Sequence, residues 1–354
     1  MNNDLVIRKK KFSFLIEKRS LIIILSVILL AVFSILFSLS IGQKYIPLLE
    51  VIKTLLIKET SNISFIINNI RLPRTLVAFL VGASLALSGS IIQGIIKNPL
   101  ADPNIIGIVD SGSVGALVFL TLFTDPKNNA LTTSIFYMPL FTFIGAFSAA
   151  LLVYFLAFNK GVTPNRLILI GLGISGAAKA LTSILIINGP VVFIKEAQTW
   201  ITGTVYGSNW THVKLLFSWF SILLTITFIY IRQLNLQNLE DNISKGLGNS
   251  LEKNRFILLV LSAALASGTV AIGGGISFVG LIAPHISRKL TNSSFGNLVP
   301  ISLLIGGIIV VLADIASRTL FFPLDLPVGI FTAAIGAPFF IYLLIKNQKS
   351  RGGL

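Results

Sequence analysis

No cysteine occurs in the 354 residues, so the chain forms no disulfide, no thiolate metal site and no covalent haem attachment. Histidine is almost as scarce. His212 and His285 are the only two, far apart in sequence, which argues against a metal centre. Charge is sparse as well: 12% of residues are Asp, Glu, Lys or Arg, where soluble domains carry about 25%. A soluble globule of this size would need more polar surface. The string G-x-x-x-x-G-K-[ST] is missing and no Gly-Lys pair occurs, so the chain has no nucleotide-binding loop of its own. Two scattered histidines support no Ser/His/Asp arrangement, and enzymatic activity within the chain is not expected. The 28 basic residues against 13 acidic ones come without an aromatic-and-basic stripe, so nucleic acid is not an expected partner.

What the sequence does hold is apolar residues in long blocks, with a mean hydropathy of +0.88. Runs of about 20 residues with little or no charge read as membrane spans. The clearest are Ser20 to Gln43, Thr75 to Ile96, Asn128 to Asn159, Leu215 to Ile231, Phe256 to Pro284, Leu290 to Ala313 and Leu326 to Ile345. Two more are interrupted, Ile105 to Thr124 by Asp110 and Leu167 to Ile187 by Lys179. The block from Phe256 to Leu290 is too long for one helix, and Gly273-Gly274-Gly275 predicts a break into two. The fold class is therefore an all-α integral membrane protein with about ten transmembrane helices.

Residues 1–19 form a basic segment holding Arg8, Lys9, Lys10, Lys11, Lys18 and Arg19. Lys and Arg concentrate on the inner side of membranes, which puts this end in the cytoplasm. Its apolar run is too long, and lacks the small-residue site, for a cleaved signal. An even number of spans returns the tail, 346–354, to the same side, giving a multi-pass cell-membrane protein with a ten-helix transmembrane domain over 20–345. Leu48, Leu49, Ile52, Leu55 and Leu56 share one helical face outside the membrane, suiting an interfacial helix or an ordinary surface one. Within the cytoplasmic loop 232–254, Leu236, Leu239, Ile243 and Leu247 recur at helical spacing until Gly246 and Gly248 end the pattern. An apolar stripe facing water needs a cover, which suggests that a partner docks there.

In this orientation Arg71, Arg74 and Arg318 lie at external helix ends, against the usual charge bias. Arginine's planar fork suits bidentate contact with carboxylates, so an acidic extracellular partner is one reading. The alternatives are headgroup anchoring for Arg71 and Arg74, and a local pair between Arg318 and Asp314, four residues earlier. Gly107, Ser111 and Gly115, with Gly171 and Ser175, are spaced for close helix packing. Asp110 and Lys179 would lie at membrane depth. A polar packing site for Asp110 is preferred over an ion relay. Pro99 and Pro103 break the chain into an irregular turn, suited to a gate or to a plain interhelical loop.

Three blocks of residues now carry a resemblance. The first is Arg71-Leu72-Pro73-Arg74-Thr75-Leu76, with Gly82-Ala83, Ser88-Gly89, Gln93, Asn98-Pro99-Leu100-Ala101-Asp102-Pro103 and Gly107. The second runs from Gly275 to Arg288, and the third holds Ala313 to Arg318, Leu326 to Ile330 and Gly336 to Phe339. Together they resemble the FecCD-type permeases of bacterial ATP-binding-cassette (ABC) importers for iron–siderophores, haem and cobalamin. The resemblance implies a cobalamin-importer-permease-like bundle, paired with a second permease subunit in a homo- or heterodimer. It also implies two cytoplasmic ATPases, which would hold the ATP and Mg, and an extracellular substrate-binding lipoprotein. No cofactor is expected on this chain. By resemblance Arg71, Arg74 and Arg318 dock the binding protein. Leu239, Glu240, Ile243, Ser244, Leu247 and Gly248 couple to the ATPase, although the usual Gly-Glu pair near Glu240 and Asp241 is replaced here. Asn98, Leu100, Thr163 and Pro164 match gate positions, Pro164 being an unusual residue there. An iron–siderophore complex is the first expectation for cargo, ahead of haem or cobalamin. The competing class is an ion-coupled secondary transporter working through Asp110, Lys179 and Asp314.

Overall fold

The computed structural model of the chain describes residues 4–9, 12–57, 61–125, 128, 130–158, 163–189, 194–291 and 294–351. Two short strands, β1 (Asp4–Lys9) and β2 (Phe12–Glu17), open it as an antiparallel pair with Asp4 opposite Glu17. The basic segment 1–19 did not announce this hairpin, although its Val, Ile and Phe residues favour extended backbone. Helices follow in the order α1 (Lys18–Ser40), α2 (Leu48–Leu56), α3 (Asn62–Phe65), α4 (Leu72–Ile96), α5 (Ile108–Leu122), α6 (Met138–Ala157), α7 (Pro164–Asn188), α8 (Ile194–Thr202), α9 (Trp210–Ile229), α10 (Ile231–Gln237), α11 (Asp241–Gly246), α12 (Leu251–Gly273), α13 (Val279–Leu290), α14 (Phe295–Thr319) and α15 (Val328–Arg351). Eight of them, α1, α4, α6, α7, α9, α12, α14 and α15, are long and apolar enough to cross a membrane. The other two expected spans are the short helices α5, of 15 residues, and α13, of 12. At ~1.5 Å per residue neither covers a hydrocarbon core of ~30 Å alone.

Several helices outrun the apolar blocks that signalled them. α14 continues to Thr319, past Ala313, and takes Asp314 and Arg318 inside. α12 starts at Leu251 and so includes Arg255. Asp314, Arg318 and Arg255 each have an ionic partner in the fold, which is what lets a helix carry them. The stretch before α6 lies outside the helix that Asn128 to Asn159 suggested, and Thr124 and Leu131 bridge there. Pro73 stands in the first turn of α4, and a π-helical turn, Ile66–Arg71, joins that helix to α3.

The core is built on α4, whose apolar span is 89% buried. Helix association in lipid rests on close packing more than on hydrophobic burial, so small residues decide where backbones meet. A Cβ at Gly82 would lie 2.1 Å from the carbonyl oxygen of Gly306 on α14. One at Gly89 would lie 1.9 Å from the carbonyl oxygen of Gly280 on α13. Ser88 and Ser262 then exchange hydrogen bonds between α4 and α12 at 2.8–3.0 Å. The spaced glycines of α5 behave as their pattern suggests: Gly115 lies on the backbone of Phe141 in α6, and Gly107 lies beside Ser175 in α7. The triple glycine breaks the chain as expected. α12 ends at Gly273, Gly274 has φ +64, and α13 restarts after Phe278 at φ +66.

α2 keeps its leucines outward. Leu49 and Leu56 are exposed while Val51 packs against Leu39, Ile46 and Ile67. That leaves an apolar outer face suited to a membrane interface.

Placing alanine at position 89 should drive α4 from α13 at a cost of about 1–3 kcal/mol or more. A Gly89→Ala protein should melt clearly lower in detergent, followed by fluorescence-detected size exclusion. Gly176→Ala, at a position with nothing within 4 Å, should leave the melting temperature unchanged.

Candidate functional site

The sequence-derived site residues gather at the two ends of α4. At its start, Arg71 and Arg318 act on the C-terminus of α1, whose last carbonyls have no partner within the helix. Arg71 Nη1 donates to the carbonyls of Leu39 at 2.6 Å and Ser40 at 3.1 Å, and its Nη2 donates to that of Lys44. Arg318 Nη2 donates to the carbonyl and the hydroxyl of Ser38, both at 2.6 Å. Two cations thus complement the negative end of a helix dipole. Gly42 makes room for them, because a Cβ there would meet Arg71 Nη2 at 2.7 Å.

Arg74 makes a different set of bonds. Its Nε donates to Asp314 Oδ1 at 2.8 Å, and its two terminal nitrogens grip Asp325 at 2.7 and 2.8 Å. Asp314 is fully buried, with Arg318 Nε 3.6 Å from its other oxygen, so the local pair foreseen for Arg318 is present. Burial pushes the Asp325 carboxyl up, but the bonds from Arg74 and Ser317 outweigh it and hold it below the usual carboxylate range. All three arginines are buried, at 6–9% exposure, and their bonds in this state run inward. Arg74 also lies under an exposed ring, with its guanidinium 5.7 Å from that of Tyr206. Sequence reasoning missed Asp325. Its only signal was an acid in a short turn beside the apolar run that becomes α15.

The end of α4 carries the second group. Lys97, in the left-handed conformation at φ +54, ends the helix. Its Nζ donates to the Leu239 carbonyl at 2.6 Å and to Asp241 Oδ1 at 2.7 Å. Arg255 of α12 grips both oxygens of Asp241 at 2.8 and 2.9 Å. The Lys97 ammonium, with Arg255 adding to it, holds the Asp241 carboxyl below its ordinary value despite partial burial. α11 is thereby clamped to two membrane helices. On that base Leu239, Ile243 and Leu247 stand exposed in the apolar stripe read from the sequence, with Glu240 and Gly248 also outward. Ser244 does not share that face. It is fully buried and accepts a bond from Asn249 Nδ2 at 2.8 Å, so it shapes the loop. Lys97, Asp241 and Arg255 carry the clamp, and no spacing in the sequence links them.

The proline turn after α4 is a fixed structure. Asn98 Oδ1 accepts from the Leu100 amide at 2.9 Å, and Asp102 caps the 3₁₀ turn Pro103–Ile106 through the Asn104 amide at 2.8 Å. Gln93 ties it to α13. Its Nε2 donates to the carbonyls of Ala101 and Gly280, and its Oε1 accepts from Arg288 at 2.7 Å. Full burial pushes the Asp102 carboxyl up to about 6, against the pull of the Asn104 bonds. Leu100 packs with Leu281, Ile282 and Leu343. Thr163 lies exposed ahead of α7, and Pro164 opens that helix with its side chain outside the described residues. α7 crosses the turn higher up, at Gly171, where a Cβ would meet the Ile105 carbonyl at 2.3 Å. Among the described residues no three His, Cys, Asp or Glu side chains group to hold a metal.

Residues 29–346 match the FecCD transport family. A Bacillus subtilis (strain 168) protein named "Probable siderophore transport system permease protein YfhA" is 45% identical over 334 residues, covering 94% of this chain and 97% of that protein. The "Achromobactin transport system permease protein CbrC" of Dickeya dadantii (strain 3937) is 39% identical over 348 residues and 98% of each chain. A solved structure described as a metal-chelate type ABC transporter in an inward-facing conformation superposes with a TM-score of 0.79 at 31% identity, covering 92% of this chain and 99% of that one. The match across most of the chain, and a bundle arranged as in that permease, give one conclusion: this protein is a member of the FecCD transport family.

Proposed function

We propose that the chain is the membrane permease subunit of an ATP-driven importer that carries an iron–siderophore complex across the cytoplasmic membrane. The observation that carries this reading is the clamped α11. A transport-family protein without a nucleotide-binding loop presents an apolar stripe, on a charged base, at the end of the bundle opposite its arginine cluster. Siderophore permeases among its relatives support the cargo. Haem or cobalamin is the alternative within the family.

The chain does no covalent chemistry in this reading. Two partner ATPases bind ATP and Mg and close together. Leu239, Ile243 and Leu247 receive that motion, and the Lys97–Asp241–Arg255 clamp passes it to α4 and α12. Both chain ends face the cytoplasm. A second permease copy or paralogue completes the path, and an extracellular binding protein delivers the cargo. The two conformations differ in which end of the path is open, and ATP selects between them because the ATPases bind it more tightly when closed. At the outer face Arg74 is the docking residue, because it already grips a part-exposed carboxylate, Asp325, beside the exposed Tyr206. A carboxylate of the binding protein would compete with Asp325 for it. Arg71 and Arg318 support docking indirectly, by fixing the end of α1.

Vesicles carrying the whole transporter should accumulate ⁵⁵Fe–siderophore only with ATP inside. Ile243→Glu should abolish that uptake and the co-purification of the ATPase, while the chain still folds. ATP-independent uptake by this chain alone would sink the reading in favour of ion coupling. Docking has its own test. Arg74→Gln should weaken binding-protein affinity by on the order of tenfold, about 1.4 kcal/mol. Asp325→Asn should hold or tighten it by removing the competing charge. Equal affinity in both variants, measured by surface plasmon resonance, would remove Arg74 from the interface.

A further inference from the structure

Lys179 is the one ionisable residue of α7 far from both of its ends. At ~1.5 Å per residue it stands roughly 22 Å from the start of the helix and roughly 14 Å from its finish. Its side chain is 68% exposed, on a helix whose apolar span is only 11% buried. A lysine near a membrane boundary turns its ammonium outward to the headgroups. This one does the opposite. Its Nζ is drawn to 3.8 Å from Asp110 Oδ2. Asp110 sits in the first turn of the short α5, which starts at depth after the proline turn, and it accepts the Ser175 hydroxyl one helical turn before Lys179. The ammonium therefore lies well inside the membrane span. Facing hydrocarbon there is costly for an ammonium. The pair is also loose. At 3.8 Å it meets no hydrogen-bond criterion, and Asp110 spends that oxygen on Ser175. The three N–H donors of Lys179 thus stay available at depth. Beside them Gly176 has nothing within 4 Å, and Ser183 is exposed one turn further on. The preferred sequence reading explains Asp110 as a packing residue and leaves Lys179 without a purpose.

We propose that this face of α7 borders water and that Lys179 is an anion-binding point on the transport path, selecting ferric chelates that carry net negative charge through carboxylates. This rests on the permease reading above and adds a cargo class to it. Lys179 trades its weak contact with Asp110 for a carboxylate of the passing chelate. The nearby Asp110 charge keeps that contact weak enough to release.

The absence of cysteine from the chain makes a reporter straightforward. Ser183→Cys, in the complete transporter with cysteine-free partners in vesicles, should react from the aqueous phase with sulfonatoethyl methanethiosulfonate faster than with the trimethylammonioethyl reagent. Lys179→Gln should lower the ratio of the two rates by on the order of tenfold, and Lys179→Arg should restore it. ATP-driven ⁵⁵Fe uptake from an anionic ferric carboxylate should fall severalfold in Lys179→Glu. Failure of both reagents to react, a ratio unchanged by Lys179→Gln, or uptake unchanged in Lys179→Glu would each overturn the proposal. Wild-type vesicles that take up no ferric chelate with ATP would instead refute the permease reading, and the rate ratio would still decide for or against Lys179.

Discussion

Gly82 and Gly306 let α4 and α14 approach until neither backbone leaves room for a methyl group, and the rest of the bundle takes its position from that contact. Lipid offers no hydrophobic gain for burying one apolar helix against another. The helices hold together because backbones touch and because hydroxyl pairs such as Ser88–Ser262 close between them. With α4 fixed against α12, α13 and α14, its two ends become fixed points. One end carries Arg71 and Arg74, and the other presents Lys97 to α11. The two charged clusters, at opposite ends of a 25-residue helix, thus share one rod.

The charges at the two ends work under different conditions. Arg74, Asp314 and Asp325 are largely removed from water, where losing one member of a set strands the others at a cost of about 3–5 kcal/mol. Such a cluster holds the ends of α1, α4 and α14 in one arrangement. The Lys97–Asp241–Arg255 group is wetter, with Asp241 nearly half exposed. It holds α11 without burying it, so the apolar stripe of Leu239, Ile243 and Leu247 stays open to a partner. Lys179 and Asp110 are a third case, a pair 3.8 Å apart that is partly exposed midway along the bundle.

Much of this was legible in the chain. Long apolar blocks predicted the spans, the triple glycine predicted the break before α13, and small residues at spacing four predicted where α5 packs. These signals are local, and the bilayer makes them strong, because every backbone group in it must be satisfied within its own helix. Helix ends were less legible. Ala313 looked like a terminus because charge follows it, yet α14 continues, since Asp314 pairs with Arg74 of α4, and Arg318 with Asp314 and the Ser38 carbonyl. Arg71, Arg74 and Arg318 could be recognised as unusual and the local pair of Arg318 with Asp314 foreseen, but the inward bonds of Arg71 and Arg74 could not.

The chain by itself determined that the protein is a helical membrane protein, roughly where it crosses, and which family's motifs it bears. Only the tertiary structure decided that Arg74 grips Asp325, that Asp241 clamps α11 to α4 and α12, and that Lys179 stands exposed toward Asp110. Those pairings join residues as many as 251 positions apart. Composition and period record what one helix needs from its surroundings. Which neighbour supplies it is settled by packing between helices that no sequence interval encodes.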